Sequence, residues 1–186
     1  MSTGGGWQDQ VGGVTPGIKF ITTKPGIDQK IQVEHVELES ETLQELEERF
    51  ALIYTGQRRL ARNLLRDVVG NYIAAAGNPW STCRMEKTAV LMKFELQCGN
   101  IDGFAELLNT HWELSKQLDK GSTNTCIDQI FVSIEDLIDG RFISGAGGGG
   151  FLQVIMKKGV TRQMLSRRLH EVFQDSGVDV WETRFI

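Results

Sequence analysis

Hydrophobic and polar positions alternate over 17–23 (Gly-Ile-Lys-Phe-Ile-Thr-Thr) and over 31–38 (Ile-Gln-Val-Glu-His-Val-Glu-Leu), a period of two that predicts two strands. Lys24-Pro25-Gly26 lies between them and supplies turn chemistry, so the pair reads as a β-hairpin or meander. The period then lengthens. Ser40 is placed to cap a short acidic helix in which Glu and Leu recur through Phe50. Ala51-Leu52-Ile53-Tyr54 is a short buried strand that ends at Thr55-Gly56. Leu60, Leu64 and Val68 share one face, as do Ala61, Leu65 and Val69, which predicts an amphipathic helix over 58–76. Gly77-Asn78-Pro79 stops it, and Ser81 is placed to cap the next.

Met85, Ala89, Met92 and Leu96 form that second stripe, which Gly99 ends. Ile101, Phe104, Ala105, Leu108 and Trp112 carry a third helix towards Leu118. Ile127, Ile130, Phe131, Ile134 and Leu137 carry a fourth, ended by Asp139-Gly140. Arg141-Phe142-Ile143 and Phe151-Leu152-Gln153-Val154-Ile155 read as strands of one sheet. A helix over 161–175 follows, with Met164, Leu165, Leu169, Val172 and Phe173 inward, and 178–185 alternates as a last strand. From Phe50 onward, collapsing the helical insertions leaves βαββαβ. That order predicts an α+β fold: a ferredoxin-like antiparallel sheet with inserted helices, preceded by the hairpin.

A length of 186 residues allows one sizeable domain, or one with a short appendage. A net charge of −4 argues against a general nucleic-acid or anionic-membrane surface, though not against a local basic pocket for a phosphorylated ligand. Cys83, Cys98 and Cys126 are widely spaced, odd in number and without a CxxC pair, which fits a reducing compartment better than a disulfide frame or zinc site. With no apolar run of about 18 residues and no signal-peptide pattern, the expectation is a cytoplasmic protein. The opening Met1-Ser2-Thr3-Gly4-Gly5-Gly6-Trp7 suits a natural terminus, and equally a chain cut from something longer.

Five glycines fill six positions at Gly145, Ala146, Gly147, Gly148, Gly149 and Gly150. Glycine permits positive φ and close backbone approach, and its amides can point at phosphate oxygens. A flexible linker is the alternative, but linkers carry polar flanks and this run sits between strands. Asp9 lies among glycines, where a carboxylate could take a proton from a hydroxyl, help hold Mg²⁺, or merely cap a helical turn. Arg58, Arg59 and Arg62 open a helix, where guanidinium groups could meet an anion or simply face water. Trp112 and Lys116 stand one turn apart; the ring could be a sugar platform or core. His35, His111 and His170 share no spacing, which argues against zinc. No Walker A loop or dinucleotide fingerprint is present.

The chain resembles the GHMP small-molecule kinases, and within them the L-fucokinases, along essentially its whole length. The likeness rests on Gly4-Gly5-Gly6-Trp7-Gln8-Asp9-Gln10-Val11-Gly12-Gly13, on Pro16-Gly17-Ile18-Lys19, and on Tyr54-Thr55-Gly56 with Arg59 and Ala61. It rests also on Trp112-Glu113, Lys116, Leu118-Asp119, and Gly145 to Phe151. The resemblance implies transfer of the ATP γ-phosphoryl group, with Mg²⁺, to the anomeric hydroxyl of L-fucose. Asp9 matches the family's aspartate, and Gly145 to Gly150 its third, phosphate-proximal motif. Residues 1–40 would be the tail of an ATP-binding domain and 41–186 the C-terminal domain.

The family's main phosphate loop and N-terminal substrate motif have no counterpart in these residues. The chain therefore reads as a C-terminal kinase portion, inactive alone, with ATP reached through a domain it lacks. A heptose-phosphate 1-kinase portion and a non-catalytic sugar-binding module are the alternatives. For the former, Arg58 and Arg59 would meet the substrate's own phosphate. Exposed helix faces could support an oligomer.

Overall fold

The computed structural model describes residues 7–24, 30–57, 70, 79–145, 147–183 and 185, with the backbone alone at 9 and 79–82. It opens with a short helix α1 (Gln8–Val14) and two strands, β1 (Lys19–Thr23) and β2 (Ile31–His35). The strands pair antiparallel, from Lys19 opposite His35 to Thr23 opposite Ile31. This is the expected hairpin, although residues 25–29 of its turn lie outside the described residues. Every β2 side chain is exposed. The hairpin is held to the rest by Ile18 and by a 2.5 Å ion pair between Lys93 and Glu34.

Helix α2 (Ser40–Arg49) runs straight into β3 (Phe50–Thr55). Ser40 is its first helical residue and not its cap; Glu39 holds the cap position in extended backbone. The last carbonyls of a helix need donors from elsewhere. Here Arg162 supplies them, donating to the carbonyls of Glu47 (2.5 Å) and Phe50 (3.0 Å). The helix expected over 58–76 lies outside the described residues, apart from Gly70, which is helical.

Helix α3 (Pro79–Gln97) begins at Pro79, where a missing N–H leaves nothing unpaired. Ser81 is therefore its third residue and not the cap that the sequence suggests. Gly99 follows at φ +74°, and α4 (Ile101–Leu118) starts under Asn100, whose side chain accepts from the Gly103 amide. Helix α5 (Thr125–Ser133) is shorter than its apolar period predicts. Residues 134–137 turn, and β4 (Ile138–Ile143) already contains Asp139 and Gly140, the expected helix stop. Strand β5 (Phe151–Met156), helix α6 (Arg162–Phe173) and strand β6 (Val178–Trp181) complete the chain. On α6, Leu165 and Leu169 point inward as expected, but Met164 (45% exposed) and Val172 (52%) face water. The last strand stops at Trp181, short of residue 185.

The four later strands form one sheet in the order β4-β5-β3-β6, every neighbouring pair antiparallel. Numbered within this unit the order is 2-3-1-4, the ferredoxin-like arrangement. One face buries Ala51, Ile53, Leu152 and Val154 against Ile127, Ile130, Leu165 and Leu169 of α5 and α6. Ile155 turns to the other face, into a second cluster with Leu46 of α2, Leu96 of α3, and Ile101, Ala105 and Leu108 of α4. Strand β5 is thus covered on both sides, which explains its nearly unbroken apolar run. Arg49, 4% exposed, joins the layers: its guanidinium meets Glu45 (2.7 Å), Asp102 (2.6 Å) and Asp139 (2.8 Å), and its Nε donates to the Met156 carbonyl (2.8 Å).

Candidate functional site

The glycine run connects β4 to β5, and its backbone needs its residues. Gly145, Gly147, Gly148 and Gly150 have φ of +75°, +90°, +71° and +86°, values that cost side-chain-bearing residues strain. A Cβ on Gly147 would sit 2.7 Å from the Ser122 carbonyl oxygen. The loop is no free linker. The Gly148 amide donates to the Ser122 carbonyl (2.9 Å), and the Gly150 amide to that of Gln57 (3.0 Å). The Gly148 carbonyl accepts from Asn124 Nδ2 (2.9 Å); the Gly150 carbonyl accepts from the amide (2.9 Å) and hydroxyl (3.0 Å) of Thr55. Among the described residues, the amides of Gly147 and Gly149 have no acceptor.

Two caps in the short α4–α5 connection build the wall of this loop. Asp119 Oδ1 accepts from the Gly121 amide (3.0 Å), fixing the turn that presents the Ser122 carbonyl. Asn124 Oδ1 accepts from the Ile127 amide (3.0 Å) as the cap of α5, leaving its Nδ2 for the loop. Sequence reasoning named Asp119 only within the family likeness and passed over Asn124. The available signal was an Asn directly before the first turn of an apolar-striped helix, where N-caps concentrate. On the second face of the sheet, immediately after Gly150, the rings of Tyr54, Phe151 and Trp181 lie 5.0–5.9 Å apart. Trp181 is 52% exposed, and this aromatic surface too was not singled out from sequence.

Other expected residues fall elsewhere. Trp112 is 1% exposed, edge-on to Phe131 and Phe142, so its ring is core and offers no open face to a sugar. The reason is its place on the α4 stripe with Leu108 and Ala105. Lys116 covers that ring at 5.6 Å and pairs with Glu113 at 2.7 Å. Asp9 is the second residue of α1, whose N-cap position is Trp7, so the reading of Asp9 as a cap does not hold. Arg58, Arg59, Arg62, Ala146 and Gly4 to Gly6 lie outside the described residues.

His111 is half-buried against Phe142 (4.9 Å), and burial holds its imidazole pKa below the ordinary range. Burial pushes the Cys126 thiol up. Among the described residues no group of three His, Cys, Asp or Glu could hold a metal, and no helix is long and apolar enough to cross a membrane. A groove of about 890 Å³ between α2 and residues 158–163 shares no residue with the glycine loop.

No protein-family model matches the chain. It is 35% identical over 172 residues to the bifunctional fucokinase/GDP-fucose pyrophosphorylase of Arabidopsis thaliana, a match covering 92% of this chain and 16% of that protein. It is 33% identical over 158 residues to L-fucokinase/L-fucose-1-P guanylyltransferase of Bacteroides fragilis, covering 84% of this chain and 17% of that protein. The chain thus spans about a sixth of the length of these curated relatives. Its fold matches Streptococcus pneumoniae phosphomevalonate kinase in complex with phosphomevalonate and AMPPNP, with a TM-score of 0.64 at 17% identity over 84% of this chain and 43% of that one. By sequence the chain is similar to a segment of two fucokinase-bearing proteins, and by fold it is similar to GHMP kinase domains.

Proposed function

We propose that the chain is the C-terminal part of an ATP-dependent sugar kinase that phosphorylates the anomeric hydroxyl of L-fucose. In this reading 1–40 is the tail of the nucleotide-binding domain, 41–186 is the C-terminal domain, and the isolated 186 residues are inactive. One observation carries the assignment of the loop. The amides of Gly148 and Gly150 are tied to the protein, while those of Gly147 and Gly149 are left without acceptors among the described residues. Backbone amides in turns of this kind can form a concave anion site.

ATP with Mg²⁺ supplies the phosphoryl group and neutralises its charge. The chain's own part is positioning and electrostatics, which is most of what a loose phosphoryl-transfer transition state needs. The loop amides without acceptors among the described residues, those of Gly147 and Gly149, meet the charge that spreads over the equatorial oxygens. Asp9 takes the proton of the attacking hydroxyl, as the resemblance implies. In place of the buried Trp112, the exposed Trp181 with the half-buried Tyr54 and Phe151 offers the sugar an apolar face beside the loop. Lys116 stays with Glu113 and is left out of the chemistry.

Titration of the ¹⁵N-glycine-labelled chain tests the reading. Fucose 1-phosphate should move the Gly147 and Gly149 amides at lower concentration than inorganic phosphate does. An equal response to both would remove the sugar from the reading, and no response to either would remove the loop.

A further inference from the structure

We infer that Asn124 is a positioning residue, setting which way the Gly148–Gly149 peptide faces and so which way the Gly149 amide points. The inference rests on the phosphate-binding reading of the loop. Three consecutive peptides of the loop have one holder each among the described residues. The 147–148 peptide is held through its amide by the Ser122 carbonyl, and the 149–150 peptide by the Gln57 carbonyl. The middle one is held through its carbonyl by Asn124 Nδ2 at 2.9 Å.

A trans peptide is planar, with its C=O and N–H pointing in opposite directions. Holding the Gly148 oxygen against Asn124 therefore turns the Gly149 N–H away from Asn124, where it has no acceptor among the described residues. Without that hold, a peptide between two residues lacking Cβ can turn over at little steric cost. The amide would then face the protein and present its carbonyl oxygen to an incoming phosphate.

Asn124 is itself locked. Its Oδ1 accepts from the Ile127 amide at 3.0 Å, the first-turn donor of α5, while its Nδ2 donates to Gly148 and reaches Gln57 Oε1 at 3.4 Å. Flipping the side-chain amide would set NH₂ against an N–H and oxygen against a carbonyl, so both ends select one orientation. Helix start and loop direction are fixed by one residue.

Asn124→Ser and Asn124→Asp separate the two roles, because each keeps an oxygen to cap α5 and neither has an amide donor for Gly148. Both variants should melt within a few degrees of the wild type. In both, the Gly148 carbonyl ¹³C signal should move and the Gly149 amide should cease to respond to inorganic pyrophosphate. Pyrophosphate affinity should fall about tenfold, the loss of one charge-assisted hydrogen bond; Asn124→Ser shows this without added charge. Wild-type Gly148 and Gly149 signals in both variants would overturn the inference. If the wild type itself binds no pyrophosphate, the phosphate reading fails, and the Gly148 carbonyl signal still decides the role of Asn124.

Discussion

At the scale of single residues, the glycine run separates two costs that the sequence shows as one. Gly147 combines φ +90° with a Cβ position 2.7 Å from the Ser122 oxygen, whereas Gly145 has φ +75° in open space. Gly147→Ala should therefore cost about 3 kcal/mol in urea unfolding, strain plus overlap, and Gly145→Ala about 1 kcal/mol, strain alone. Equal losses would contradict the packing described. His111 gives a second residue-level expectation. Its folded-state pKa lies below the ordinary 6.5 because burial disfavours the cation. The unfolded chain then takes up that proton first on acidification, so its contribution is complete above about pH 6.5 and is lost as pH falls through the folded value. His111→Gln should flatten the urea-midpoint profile between about pH 7 and pH 5; an unchanged slope would contradict it. The glycines, Asp9 and Arg59 were legible as candidates because residue type alone marks them. Asn124 was not, since its role depends on a carbonyl 24 positions away in sequence.

Among elements, periodicity located strands and helices well and their ends poorly. The apolar period of α5 runs through Ile134 and Leu137, yet the helix ends at Ser133 and a strand begins at Ile138. Those two residues are buried in the turn that joins them, so burial and helix membership part company there. Gly140, which reads as a helix stop, serves instead as the contact point of α4 on β4. A Cβ there would lie 2.8 Å from Ala105 Cα. Beside it, Asn109 bridges the irregular strand, donating to the Asp139 carbonyl (2.7 Å) and accepting from the Arg141 amide (3.0 Å). Gly140→Ala should force the helix off the sheet and lower the melting temperature by roughly 6–12 °C, about 3 kcal/mol for a chain of this size. A melt within a degree of the wild type would show that α4 yields freely. The mistaken Ser40 and Ser81 caps share one cause: cap preference is a property of one position, and the α2 cap is Glu39, one residue before Ser40, while α3 is already helical at Pro79, two residues before Ser81.

For the whole molecule, the βαββαβ order was readable because each strand carries its own signal and the crossovers admit few arrangements. The hairpin was equally readable. Its attachment was not: it is a sheet of its own, with a wholly exposed second strand, tied to the larger unit by Lys93 and a few apolar contacts. A division of the chain near residue 40 remains our proposal. In the proposed reading, the loop between β4 and β5 is one part of a site completed by residues outside this chain. ADP release with Mg·ATP and L-fucose measures this most directly, in the complete reading frame that contains the chain and in the 186 residues alone. The account predicts fucose-dependent turnover by the former, within the usual enzymatic range of about 1–10³ s⁻¹, and none by the latter. Turnover by the 186 residues alone, or no response to fucose from the complete protein, would contradict it.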